Sequence, residues 1–195
     1  KIGSLEIFKK QGLHIPKFLF LEKAIYKKSE DFKNEFGFPL VVKPANQGSS
    51  IGLSIVESVS EIAPAIDLAF QFDIRIIIEQ YIKGRELTVG VLDKLALPVI
   101  EIIPLNKFFD FQAKYQEGLT EYIVPAHLDD EITLIVQKAA LIAHKALGCF
   151  GCSRTDIILG QDNLAYLLEV NTIPGMTSTS LLPKAAKTVG IGFNQ

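Results

Sequence analysis

Hydrophobic positions near helical spacing open the chain: Ile2, Leu5, Ile7 and Phe8 predict a helix from Lys1 to Gln11 that ends at Gly12. Phe18-Leu19-Phe20-Leu21 reads as a short strand, and Ser29 as the cap of a helix through Phe36. Leu40-Val41-Val42-Lys43 reads as a buried strand ending at Pro44; a polar loop, Ala45 to Ser50, and a short strand, Leu53 to Val56, follow. Ser60 to Phe72 has amphipathic helical spacing, with Pro64 placed in its first turn. Arg75 to Glu79, Glu86 to Leu92 and Ala96 to Ile103 carry β-branched strand character. Between Pro104 and Pro125 the pattern weakens into a polar and aromatic stretch, long enough to suggest a lid. Asp129, Asp130 and Glu131 then favour a helix start, and Ile132, Ile135, Ala139, Ile142 and Ala146 follow as its predicted buried face. The reading is α+β throughout.

The most informative stretch is Ser153 to Asn171, two apolar runs around Gly160-Gln161-Asp162-Asn163. It reads as a hairpin. If Leu159 pairs with Leu164, Asp156 faces Leu167 and Arg154 faces Glu169, and Arg154, Asp156, Glu169 and Asn171 project to one side. Asp156 and Glu169 are then diagonal neighbours. With Asn171 they form an all-oxygen set of the kind that suits Mg²⁺. The alternative is a solvated polar face with an Arg–Glu cross-strand pair, which contributes little. Tyr166, Leu168 and Val170 form the predicted apolar flank that argues against it. The hydroxyl-dense Thr172 to Ser180 leaves the same strand end, suited either to holding a carboxylate or to capping a helix around Leu181 to Val189.

Lys43 stands at the end of a strand, directly before a loop bearing Gly48, Ser49 and Ser50. Glycine lets backbone approach phosphates closely and the lysine adds a charge, although a plain hairpin uses the same residues. Glu79-Gln80-Tyr81-Ile82 ends another buried strand, where an acid and free backbone groups suit an adenine edge, and Glu86 suits ribose hydroxyls.

Composition narrows the classes. Hydrophobic residues make up 48% of the 195, which is normal for a folded core and excludes disorder. The net charge of −2 has no long like-charge run behind it, which argues against nucleic acid as a partner. Charges interrupt every apolar stretch, so no membrane span is expected and the protein is expected to be soluble. With no initiator Met and no signal-peptide core, the start looks like the middle of a longer protein. Cys149 and Cys152 form a lone C-x-x-C whose nearest histidines are scattered, favouring reduced packing cysteines in a cytoplasmic protein over a redox pair or zinc site.

The order strand-Lys-Pro, Gly-Ser-Ser, Ile-Glu-Gln-Tyr-Ile, Gly-Arg-Glu-Leu-Thr-Val, Arg-x-Asp and Leu-Leu-Glu-Val-Asn-Thr-x-Pro-Gly-Met-Thr resembles the ATP-grasp superfamily, and within it the D-alanine:D-alanine ligases. The likeness covers essentially the whole chain, and Arg154 to Ser180 is its most specific block. Thr155 departs from the aliphatic residue usual between the Arg and the Asp, and Phe111 stands where the family commonly has tyrosine.

The resemblance implies an ATP-grasp fold with ATP held between two α+β lobes, 1–82 and 83–195. It implies that Lys1 and Lys43 contact phosphates, that Gly48, Ser49 and Ser50 cover them, and that Ser49 serves catalysis. Glu79, Gln80, Tyr81 and Ile82 match the adenine hinge, and Glu86 the ribose acid. Asp156, Glu169 and Asn171 match the ligands of two Mg²⁺ ions, or Mn²⁺, with Glu169 bridging. Arg154 would stabilise the transferred phosphoryl group, and Gly175, Ser180 and Leu181 would hold the substrate carboxylate. Phe108 to Tyr115 resembles the family's omega loop, a lid over about 105–125 in which Lys114 and Tyr115 close over the γ-phosphate.

The implied reaction phosphorylates one D-alanine to an acyl phosphate and joins it to a second D-alanine, making a peptidoglycan precursor. D-lactate or D-serine as acceptor, and a non-catalytic nucleotide-binding module, are the competing readings. The family's amino-terminal domain has no counterpart here, and the last helix looks cut short after Phe193, so the isolated 195 residues are expected to bind nucleotide but turn over poorly. A homodimer is usual in the family.

Overall fold

The computed structural model describes residues 1–26, 36–104 and 120–193. The helix predicted from Ser29 to Phe36 falls almost wholly outside them, and so does the body of the lid, with Lys114 and Tyr115. The chain forms two compact units that change over between Ile82 and Lys83, with Gly3–Ile15 grouped with the second.

Helix α1 (Ile2–Lys10) buries Leu5 and Phe8 and ends before Gly12, whose φ of 71° lies in the left-handed region that glycine enters without steric cost. The first unit is built on an antiparallel sheet of β1 (Phe18–Glu22), β2 (Leu40–Pro44), β3 (Ser54–Val56) and β4 (Arg75–Gln80), in the order β1-β4-β2-β3. Helix α2 (Val59–Phe72) covers one face, where Ile62, Ile66, Ala69 and Phe70 meet Leu40, Val42, Ile76 and Ile78. Alternation then puts Lys43, Ile77 and Glu79 on the opposite face. Pro64 is the sixth residue of α2, past the first turn where it was expected. Its ring nitrogen cannot bond the carbonyl of Ser60, but both residues are exposed and water can take that carbonyl.

The second unit carries β5 (Gly84–Leu92), β6 (Leu95–Ala96), β7 (Ile100–Pro104), β8 (Thr120–Ile123), β9 (Cys152–Gly160) and β10 (Ala165–Asn171), in the antiparallel order β10-β9-β5-β7-β8 with β6 on β5. The strand expected from Ala96 to Ile103 is divided, because Pro98 offers no amide to a ladder. The polar stretch to Pro125 closes in a strand, β8, rather than in loop.

Helix α3 (Asp130–Ala146) lies on the face formed by Leu87, Val89 and Val91 of β5 and Ser153, Thr155 and Ile157 of β9, which the hydrogen bond between His144 Nδ1 and Ser153 Oγ at 2.7 Å fixes. Its buried stripe is Val136, Ala139, Ala140, Ala143 and His144; the face expected from Ile132, Ile135 and Ile142 is rotated, and Ile135 is exposed. Alanines let the helix approach the sheet closely, so the small residues rather than the isoleucines mark the contact. Helix α4 (Leu181–Thr188) packs on the other face through Leu182, Ala185 and Ala186 against Leu97 and Ile100. Cys149 and Cys152 are both free thiols of intermediate exposure, and burial raises the Cys149 thiol above its ordinary value.

Candidate active site

The β9–β10 hairpin differs from the expected register. Leu159 pairs with Ala165, one residue later than predicted, and a bulge at Leu168 shifts the ladder again, so Glu169 pairs with Asp156 and Asn171 with Arg154. Opposed residues share a face, and Arg154, Asp156, Glu169 and Asn171 therefore do converge on one side. Asp156 and Glu169 are direct rather than diagonal partners, with Cβ atoms about 4.5–5.5 Å apart for such a pair. The buried flank of β10 is Ala165 and Leu167, not the predicted Tyr166 and Leu168; only past the bulge does Val170 share the side of Thr155.

Asp156 is held by three bonds. Arg154 Nε donates to Oδ1 and Nη2 to Oδ2, each at 2.9 Å, and Thr88 Oγ1 donates to Oδ1 at 2.7 Å. Thr88 is buried and also lies 3.1 Å from the carbonyl of Thr155. Sequence reasoning assigned Thr88 no role, yet it stands two residues after Glu86, and strand alternation alone puts both on one side. Glu86, Thr88 and Gly90 of β5 lie level with Ile158, Asp156 and Arg154 of β9. Tyr122 of β8 belongs to this face: burial raises its hydroxyl above the ordinary value, while the charges of Arg154 and Glu86 pull it in opposite directions. Lys184 Nζ sits 4.5 Å from its ring centroid.

Among the described residues no group of three or more His, Cys, Asp and Glu side chains could hold a metal ion. The donor set on this face is two carboxylates and an amide, all oxygen, and that chemistry fits a hard divalent cation completing its shell with water and phosphate oxygens.

In the loop from Thr172 to Ser180, the Ser180 hydroxyl accepts the Thr177 amide at 3.0 Å and lies 2.8 Å from Thr177 Oγ1. Ser180 occupies the N-cap position of α4, but its side chain makes no capping bond. A Cβ on Gly175 would stand 2.8 Å from Ser180 Oγ, so the glycine gives that hydroxyl its room. Gly90 does the same for α4, since a Cβ there would lie 2.4 Å from Leu182 Cδ1.

In the first unit, Lys43 and Glu79 form a buried ion pair, Nζ to Oε1 at 2.5 Å, on the sheet face away from α2. Glu79 Oε2 has no hydrogen-bond partner among the described residues. The amides of Gln80 and Tyr81 are not the free groups anticipated, being donated to the carbonyls of Lys17 and Pro39. Ile82 ends the unit. Ser49 and Ser50 both have positive φ, 53° and 58°, beside an exposed Gly48. The backbone nitrogen of Lys1 lies 3.5 Å from the carbonyl of Ala45, where this loop begins.

Residues 7–195 match the family described as D-ala D-ala ligase C-terminus. A D-alanine--D-alanine ligase of Geotalea uraniireducens is 52% identical over 159 residues, 82% of this chain and 51% of that protein. Among solved structures, the VanG D-Ala:D-Ser ligase from Enterococcus faecalis superposes with a TM-score of 0.88 at 33% identity, over 98% of this chain and 57% of that one. The D-alanine--D-alanine ligase from Bacillus anthracis complexed with ATP gives 0.81 at 38%, over 97% and 61%. The chain thus spans about half to three-fifths of the length of these proteins, and the fold is that of the ATP-grasp enzymes. With the carboxylate pair, the hydroxyl loop and the family match all in one sequence, the chain belongs to the D-ala D-ala ligase C-terminus family.

Proposed function

We propose that this chain is the nucleotide-binding and catalytic part of an ATP-dependent ligase that joins two D-alanines through an acyl phosphate. The observation that carries the reading is the pairing of Asp156 with Glu169 beside Arg154 and Asn171, in a chain whose relatives are D-alanine ligases. The ATP complex of the Bacillus anthracis protein supports ATP as the phosphoryl donor.

In the first unit, Lys43 and Lys1 neutralise phosphate charge, Gly48, Ser49 and Ser50 wrap the phosphates, and Glu79 to Ile82 receive the adenine. In the second, Glu86 bonds the ribose. Asp156, Glu169 and Asn171 would hold Mg²⁺ or Mn²⁺, which when bound neutralises charge on the transferring phosphoryl group. Arg154 is already aligned by its two bonds to Asp156 and supplies fixed positive charge to the same transfer. Gly175 and the Thr177–Ser180 hydroxyls, with Leu181, take a substrate carboxylate. Lys114 and Tyr115 close over the reacting groups and exclude water, which would hydrolyse an acyl phosphate. The protein works in the cytoplasm, as a homodimer, on the route to peptidoglycan.

The VanG neighbour makes D-serine the acceptor to test against D-alanine. The deciding experiment is ADP release by the whole protein that contains this chain, with Mg²⁺ and ATP, comparing D-alanine, L-alanine, and D-alanine mixed with D-serine or D-lactate. Release only with D-alanine, yielding the dipeptide, is expected. A preference for a mixture would move the reading to that acceptor, and ATP binding without release would leave a binding module.

A further inference from the structure

Two consecutive serines in the left-handed region are costly, since a residue with a Cβ loses on the order of 1–2 kcal/mol there. Such a conformation persists where its surroundings over-determine it. Ser49 and Ser50 adopt it, and the loop they belong to is bound at both ends to one junction, the end of α2 at Phe72 and Asp73. Asp73 Oδ2 accepts the backbone amide of Asn46 at 2.7 Å and its side-chain amide at 2.9 Å, while Oδ1 accepts the amide of Arg75 at 3.1 Å. Gln47 Nε2 donates to the carbonyl of Phe72 at 3.0 Å. At the far end, Gly52 packs so tightly on the Phe72 ring that a Cβ would lie 2.6 Å from it.

We infer that Asp73 is a positioning residue: by clamping Asn46 it holds the Gly48–Ser50 loop in the shape that receives nucleotide phosphates before the nucleotide arrives. This role rests on the nucleotide reading above and adds a residue that touches no substrate. A loop ordered in advance has less conformational freedom to lose on binding, so the clamp acts on affinity rather than on the chemical step. The carboxylate suits the task because one oxygen accepts both Asn46 donors while the other stays on the Arg75 amide.

The test compares Asp73→Ala, Asp73→Asn and Asn46→Ala with the parent chain. Titration with Mg²⁺ and ATP by calorimetry is read beside amide exchange over residues 46–53 and the melting temperature. Asp73→Ala is expected to weaken ATP on the order of tenfold and to speed exchange in the loop. Asp73→Asn should lose less, and adding Asn46→Ala to Asp73→Ala should cost nothing further. ATP affinity unchanged in Asp73→Ala, or losses that add as though independent, would overturn the clamp. If Asp73→Ala does not fold, Asn46→Ala reads the clamp from its other side, and an unchanged affinity there overturns it. A parent chain that binds no ATP would instead refute the nucleotide reading. Loop exchange would then decide the clamp alone: faster in Asp73→Ala sustains it, unchanged removes it.

Discussion

Asp156 and Glu169 face each other across β9 and β10 because Leu168 is an extra residue in the ladder. Without that bulge Leu168 would oppose Asp156, and Glu169 would turn to the side of Thr155, beneath α3. Deleting Leu168 restores a regular ladder that still sets Glu169 opposite Asp156. Mn²⁺ binding followed by electron paramagnetic resonance should therefore survive the deletion within about tenfold and be lost in Glu169→Gln. Equal loss in both would show that the bulge has another purpose.

Thr155 departs from the aliphatic residue usual in the family, and nothing among the described residues around it explains the hydroxyl. It is fully buried on the α3 face, and its hydroxyl finds no partner among the described residues. Thr155→Val should stabilise the fold by about 1 kcal/mol, read as a higher urea midpoint with an unchanged slope, and leave ATP affinity as it was.

Lys43 and Glu79 bury opposite charges whose side chains are 10% and 4% exposed. Removing one partner strands the other, so Lys43→Ala should cost about 3–5 kcal/mol. Removing both, in Lys43→Met with Glu79→Leu, should return most of that stability while abolishing nucleotide binding. Urea denaturation of the single and double variants reads the stability, and ATP titration of the same variants reads the binding.

Gly90→Ala should drive Leu182 and the start of α4 away from β5, at a cost of about 1–3 kcal/mol. Because α4 begins at the hydroxyl loop, the Michaelis constant for the acceptor should rise more than that for ATP. Leu182→Ala in the same chain should restore both values toward the parent.

Asp73 carries a pH signature. Burial raises its carboxyl, but the bonds from Arg75 and Asn46 outweigh burial and hold it below its ordinary value of 3.8. A carboxylate lowered in the folded state stabilises the fold above its unfolded value, and that contribution fades as pH falls through the folded one. The Asn46 amide resonance should hold steady from neutrality down and move only below about pH 4.

Most elements were legible because their signals are local. The helices of residues 2–10 and 59–72 follow from spacing, that of 130–146 from spacing and an acidic start, and the strands around Val42 and Ile77 from β-branched runs. The Arg154, Asp156, Glu169 and Asn171 set was legible as well, since parity along a strand survives an error of register when a bulge restores it. What escaped depends on partners distant in sequence. The pairing of residue 159 with 165 rather than 164 depends on how the turn closes, through the Gly160 amide on the Leu164 carbonyl. The buried stripe of α3 depends on the sheet beneath it, and the place of Asp73 on Asn46, 27 residues away.

Strand β9 alternates strictly between two kinds of duty. Ser153, Thr155 and Ile157 fill the core under α3, while Arg154 and Asp156 between them carry the charges of the site. A single residue gained or lost within Cys152–Gly160 would exchange the two sets, sinking an ion pair into the interior and lifting the core into water. A change of length in this strand therefore needs a compensating bulge of the kind Leu168 makes in β10. Residues 161–164, in the turn that follows, are where such a chain can lengthen or shorten and still be inherited.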